Sequence, residues 1–167
     1  MDNVQKFIDS LPNNVTSINL SNRDISTLPV LTRFKNLKIL YCSGNQLTCL
    51  PVLNNTLEEL YCYNNKLTSL PSLDSLASLQ GFSVSDNKLT KLPQDLGRLL
   101  NLHILDIHKN ELTSLPDSME YLSNLDHLYI SENKLSNFPS VLGKIPNLKS
   151  LDLSKNQLTD MPDSTLT

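Results

Sequence analysis

The chain has no tryptophan, aromatic residues make up only 5% of its 167 positions, and four glycines serve the whole length. With so few rings to fill irregular space, a core drawn from this composition has to be assembled from one repeated aliphatic shape. No stretch approaches the roughly 18 uninterrupted apolar residues of a membrane span. The opening MDNVQKFIDS is charged and poor in apolar residues, unlike an export leader. A basic surplus is also missing. The net charge is −3 and the pI near 5.5, which argues against nucleic acid and anionic membranes as partners. The three cysteines, Cys42, Cys49 and Cys62, form no C-x-x-C pair and are odd in number, so neither a disulfide framework nor a four-ligand zinc site is indicated. Reduced thiols in a cytosol-like compartment are the expectation. N-x-S/T sequons begin at Asn14, Asn19 and Asn54, and without a leader they read as products of an Asn/Ser/Thr-rich composition.

What the chain does have is leucine, 35 residues of it, in register. The pattern L-x-x-L-x-L-x-x-N-x-L-x-x-L-P occurs seven times, starting at Val15, Leu37, Leu57, Leu79, Leu102, Leu125 and Leu148, with spacings of 22, 20, 22, 23, 23 and 23 residues. Seven of the nine prolines share one repeat position (Pro29, Pro51, Pro71, Pro93, Pro116, Pro139, Pro162), and six copies carry the asparagine, the first having Arg23 instead. A length near one domain and a period near 20 residues together point to a single stacked array.

These copies resemble the leucine-rich repeat family over residues 15–162. The 23-residue copies are similar to those of Ras-interacting and bacterial cytosolic members, and the 20-residue copy to secreted bacterial effectors. The resemblance implies an α/β leucine-rich repeat solenoid, right-handed and curved. A parallel β-sheet would form its concave face, and short helical, 3₁₀ or extended segments its convex one. With the thiols unpaired and no visible export leader, a cytoplasmic protein is expected, in a host cytoplasm if the source is viral or an effector.

The residues agree with that reading. Apolar positions 1, 4 and 6 of each copy make a short strand with one face inward, and identical strands stack about 4.8 Å apart. On the outer side Leu96/Leu99, Met119/Leu122 and Leu142/Ile145 are three apart, the spacing of one helical or 3₁₀ turn. Only VLNNT separates Pro51 from Leu57, so that segment should be extended. Residues 1–14 read as an N-terminal cap helix: Val4, Phe7, Ile8 and Leu11 share a face, and Asp2 with Gln5 makes a capping box. Residues 163–167 form a short tail, leaving the last strand without an obvious cover. Arg23 is expected to give a frayed or altered first repeat. Arg33, Lys35 and Lys38 read as solvated surface.

Positions 3 and 5 of each copy should face the concave side, with positions 2, 7 and 8 beside them. There lie four of the five tyrosines and, counting His103 at the margin, all three histidines. Ile39, Tyr41, Tyr61 and Tyr63 form one candidate patch, and Ile104, His108, His127 and Tyr129 a second, with Asp106 nearby and Gly81, Ser83 and Ser85 as a low floor between. Tyrosine offers large contact area with two χ angles to freeze, which suggests a groove for a protein partner. Stabilising cross-strand pairs are the alternative account. Asp106, His108, His127, Ser131 and Asp152 could be assembled into a catalytic or metal-holding set, but an open sheet offers neither water exclusion nor an oxyanion site. No catalytic, metal or cofactor site is therefore assigned. Cys42 and Cys62, both at position 6, read as small core side chains, and Cys49 as the reactive thiol. The function expected is a non-enzymatic scaffold for protein–protein interaction. The alternatives are a substrate-targeting module of a larger or associated enzyme, and a self-assembling protein joined through its C-terminal edge.

Overall fold

Each copy of the repeat contributes one three-residue strand: β1 (Ser17–Asn19), β2 (Ile39–Tyr41), β3 (Glu59–Tyr61), β4 (Gly81–Ser83), β5 (Ile104–Asp106), β6 (His127–Tyr129) and β7 (Ser150–Asp152). The structure, a computed structural model, describes residues 3–160. All seven strands are parallel and lie in chain order in one sheet. Register follows the repeat without slippage, as in Ile39 opposite Glu59, Leu40 opposite Leu60 and Tyr41 opposite Tyr61.

Position 4 points inward and is buried at Ile18, Leu40, Leu60, Phe82, Leu105 and Leu128, as is position 6 at Leu20, Cys42, Cys62, Val84, Ile107 and Ile130. Beyond position 6 the backbone must turn away from the sheet. Position 8 does this in every copy with a left-handed residue: Asn22, Gly44, Asn64, Asp86, Lys109, Glu132 and Lys155 all have φ between 51° and 66°. Only glycine takes that conformation without steric cost, with Asn and Asp next.

The turn aims the position-9 asparagine back into the coil. Asn87 Nδ2 donates to the Val84 carbonyl of its own copy (3.0 Å) and to Cys62 O of the preceding one (3.1 Å), while its Oδ1 accepts from Leu67 N (2.9 Å). The same set recurs at Asn65, Asn110, Asn133 and Asn156. Buried backbone groups that no strand can pair are thereby satisfied.

The convex side carries 3₁₀ turns over Gln94–Arg98, Asp117–Tyr121 and Ser140–Lys144, with Leu96, Leu99, Met119 and Leu122 fully buried. The first two turns pack so closely that a Cβ on Gly97 would sit 2.1 Å from the Ser118 carbonyl oxygen. Between Pro51 and Leu57 there is no helical turn, as the short spacing predicts.

At the N-terminal end, helix α1 (Asn3–Ser10) buries Val4 and Ile8 against the first repeat, with Phe7 and Leu11 partly covered. Asp2 lies outside the described residues, and Gln5, expected to be its capping partner, donates instead to Asp9 Oδ1 (2.8 Å). Two arginines attach the cap. Arg33 is not free surface: its guanidinium donates to Ile8 O (2.6 Å), Leu11 O (3.2 Å) and Asn13 Oδ1 and lies over the Phe34 ring. It gives the Ile8 carbonyl, already bonded by Leu11 N, a second donor and reaches the Leu11 carbonyl just past the helix C-terminus, where a cation is also favoured by the helix dipole. Lys38 pairs with Glu58 at 2.8 Å. Arg23 stands where the ladder asparagine would have no preceding repeat to bond. Its guanidinium sits 4.3 Å from the Phe7 ring centre, and Asn45 Oδ1 takes up Arg23 N and Ile25 N. The first repeat is therefore altered rather than frayed, with Ile18 and Leu20 fully buried. At the other end Leu151 is 39% exposed. The expected tail, 163–167, lies outside the described residues.

Candidate functional site

The strand alternation that buries position 4 turns positions 3 and 5 outward on the opposite face of the sheet. Parallel register then lines up Ile39, Glu59, Gly81, Ile104 and His127 in one row and Tyr41, Tyr61, Ser83, Asp106 and Tyr129 in the next. Tyr41 and Tyr61 stack with ring centres 5.1 Å apart and planes 6° from parallel. His127 and Tyr129 approach at 6.4 Å with tilted planes.

Across β3 to β6 this face holds a depression of about 430 Å³. Of the ten candidate residues, Tyr61, Tyr63, Ser83, Ile104, Asp106, His108 and Tyr129 line it, while Ile39, Tyr41 and His127 lie outside. The two patches expected from the sequence thus do not stand apart: their inner members share one depression with the Gly81, Ser83 and Ser85 floor. Gly81 creates the gap, having no side chain between Glu59 and Ile104 in its row. Phe82, the only aromatic residue at position 4, also lines the depression. Its side chain points into the core beneath the floor, and the single visible signal was phenylalanine where the other copies have leucine or isoleucine.

The floor is a hydrogen-bonded chain. Ser85 Oγ and Ser83 Oγ are 3.3 Å apart, Ser83 Oγ donates to Asp106 Oδ2 (3.1 Å), and His108 offers Asp106 Oδ1 both its backbone N–H (3.3 Å) and its ring Nδ1 (2.7 Å). His127 instead bonds Asp126 Oδ1 through Nδ1 at 2.7 Å, which draws it to the margin. That bond holds the Asp126 carboxyl below its ordinary range, and the hydroxyl of Ser154 does the same for Asp152.

Tyr61 is the most perturbed group on the face. Burial, followed by the hydrogen bond from its phenol to Glu59 Oε2 (2.9 Å) and the charge of Glu59, pushes its pKa up to about 12. Glu59→Gln removes the negative charge that disfavours the phenolate, so the Tyr61 pKa should fall. Ultraviolet phenolate titration of the two proteins checks this, and an unchanged curve would mean that burial alone sets the shift.

Nucleophilic catalysis needs the base between hydroxyl and acid. Here Asp106 lies between Ser83 and His108, so the imidazole is not placed to take a hydroxyl proton. The other histidine of the set, His127, spends Nδ1 on Asp126, and Asp152 Oδ1 accepts from Ser154 N (2.9 Å). Among the described residues no group of three or more His, Cys, Asp and Glu side chains is placed to hold a metal ion. Cys42 and Cys62 are buried and free, and Cys49 is exposed. A hydrogen bond with Cys42, then burial, pushes the Cys62 thiol up, away from thiolate reactivity.

A family profile described as "Leucine-rich repeat region" matches residues 14–165. Among curated protein sequences none matches. Among solved structures, YopM from Yersinia enterocolitica is 33% identical with a TM-score of 0.77, covering 89% of this chain and 31% of its own. An internalin from Listeria monocytogenes is 26% identical with a TM-score of 0.80, covering 92% and 46%. A Shigella effector leucine-rich repeat domain is 27% identical with a TM-score of 0.74, covering 96% and 76%. The chain therefore spans about a third to a half of the length of the first two. Repeat register, asparagine ladder, sheet order and these likenesses agree, and the chain belongs to the leucine-rich repeat family.

Proposed function

We propose that the chain is a non-enzymatic scaffold that docks a protein partner on its concave face. The observation that carries this is the depression over β3 to β6, where Tyr63 and Ile104 are each 46% exposed on a sheet that the asparagine ladder holds rigid. Leucine-rich repeat domains generally serve protein recognition. A preformed surface loses little ordering entropy on binding, and tyrosines supply anchor area at low conformational cost. No helix among the described residues is long and apolar enough to cross a membrane. The effector domains it resembles support a role in a cytoplasm, a host's if the source is a pathogen.

The test uses Tyr63→Ala combined with Ile104→Ala, because both side chains are half exposed and the Tyr41–Tyr61 stack stays in place. Affinity capture from a eukaryotic lysate should recover a protein with the native chain and lose it with the double variant, while both unfold at the same temperature. Equal capture by the two would remove the concave face from the account.

The exposure of Leu151 on β7, against full burial of Leu105 and Leu128, favours a second reading, in which the C-terminal edge associates with another copy. Light scattering distinguishes it: a mass that rises with concentration and returns to the monomer value with Leu151→Lys would support the edge contact.

A further inference from the structure

We infer that the depression receives the ammonium group of a lysine side chain presented by a basic segment of the partner. The inference rests on the concave-face reading and adds the chemistry of the occupant. It starts from charge. Positions 3, 5 and 7 of the seven copies contain Glu59, Asp106 and Asp152 and no lysine or arginine. The lysines at the flanking positions 2 and 8 are paired: Lys109 to Asp86 (2.8 Å), Lys38 to Glu58 (2.8 Å), Lys149 to Asp126 (3.6 Å) and Lys155 to Glu132 (3.1 Å). The face is thus acidic and aromatic, complementary to a cation.

Lone-pair accounting then selects the kind of cation. A carboxylate offers about four acceptor positions. Asp106 Oδ1 is taken twice by His108, and Oδ2 once by Ser83, which leaves one position on Oδ2. A guanidinium fork wants two coplanar oxygens of one carboxylate, which this side chain cannot supply. An ammonium is a compact charge with three donors. It can use that last lone pair and the serine oxygens beside it, which follow one another from Ser85 to Ser83 to Asp106.

The walls suit the same group. Tyr61, Tyr63 and Tyr129 line the same depression as the acid, and aromatic rings attract ammonium ions and cover the aliphatic stem of lysine. The Ser83 and Ser85 side chains are already buried, so the carboxylate works in a partly desolvated setting where charge pairing is stronger than in bulk water.

The experiment is an amide NMR titration of the intact chain with three probes: Nα-acetyl-lysine methylamide, its Nε-acetylated form, and Nα-acetyl-arginine methylamide. The lysine probe should give saturable shifts at Ser83, Ser85 and Asp106. Binding should weaken by roughly tenfold with the neutral Nε-acetylated probe, with Asp106→Asn, and in 0.5 M salt, since a partly buried charge pair carries it. Equal binding of the acetylated probe, tighter binding of the arginine probe, or no saturable shift would overturn the assignment. The probe comparison on the native chain decides by itself if Asp106→Asn disturbs the His108 bonds. Partner capture that depends on Tyr63 and Ile104, together with no lysine shift, would overturn only the lysine assignment. Saturable lysine shifts together with capture unaffected by the double variant would overturn only the docking reading.

Discussion

Asn87→Ala is expected to destabilise the protein by about 3 kcal/mol, the sum of one orphaned buried donor and several lost bonds. The side chain is buried and makes four bonds: Nδ2 to Cys62 O, Val84 O and Ser85 O, and Oδ1 from Leu67 N. The losses are not equivalent. Cys62 O and Val84 O each keep a second donor, from Asn65 and Asn110 respectively. Leu67 N has no such reserve and would be left unpaired beside a buried leucine, which costs the full desolvation of an amide. Asn156→Ala provides the internal control, because its ladder sits at the exposed end and its bonds are only part-buried. It should cost about 1 kcal/mol, as expected when the lost bonds stay in reach of water. Urea unfolding of both variants checks the ranking. A central break in a quasi-one-dimensional array should also uncouple the two halves and lower the slope of the transition. If Asn87→Ala cost no more than Asn156→Ala, the ladder would not be what couples the repeats.

The ladder was readable in the sequence because its asparagine recurs at a fixed position and takes part in the same bonds each time. Features that occur once were not readable. Arg33 looks like one of three surface cations, and its partners, Ile8 O, Leu11 O and Asn13, lie 20 to 25 residues earlier. Nothing in the spacing places the end of α1 beneath it. The left-handed position 8 was half visible. Asn22, Gly44, Asn64 and Asp86 have the chemistry for positive φ, whereas Lys109, Glu132 and Lys155 adopt it because the shared coil imposes it. The concave columns followed from strand alternation, so every candidate residue fell on the expected face. Membership of the depression did not follow, because it depends on a missing side chain at Gly81 and on His127 being drawn to Asp126. Periodicity fixes which face a residue occupies, and individual contacts decide what it does there.

Phe82→Ala is expected to cost about 3–5 kcal/mol, the range for truncating a fully buried ring whose surroundings cannot close the void. Collapse is blocked on each side. Phe82 is in register with Leu60 on β3 and Leu105 on β5, both fully buried and both fixed by their own strand bonds. Above it the strand backbone closes the space, and the Ser83–Asp106–His108 chain on the outer face holds that backbone in place. Leu151→Ala removes an inward residue at the same repeat position but at the exposed end, where the side chain is 39% accessible. Its cost should stay below about 1 kcal/mol, since little burial is lost and no cavity forms. Phe82→Leu restores the residue type of the other copies and should recover most of the loss, leaving about 1 kcal/mol for the volume difference. Because the ring lies in the core beneath the floor of the depression, the leucine variant separates two roles. If stability returns and lysine-probe binding does not, Phe82 shapes the site. If both return together, the ring is there to fill the core, and the depression owes its form to Gly81 alone. A cost below about 1.5 kcal/mol for Phe82→Ala would show that the floor relaxes into the void, contrary to the rigidity from which the docking surface is argued.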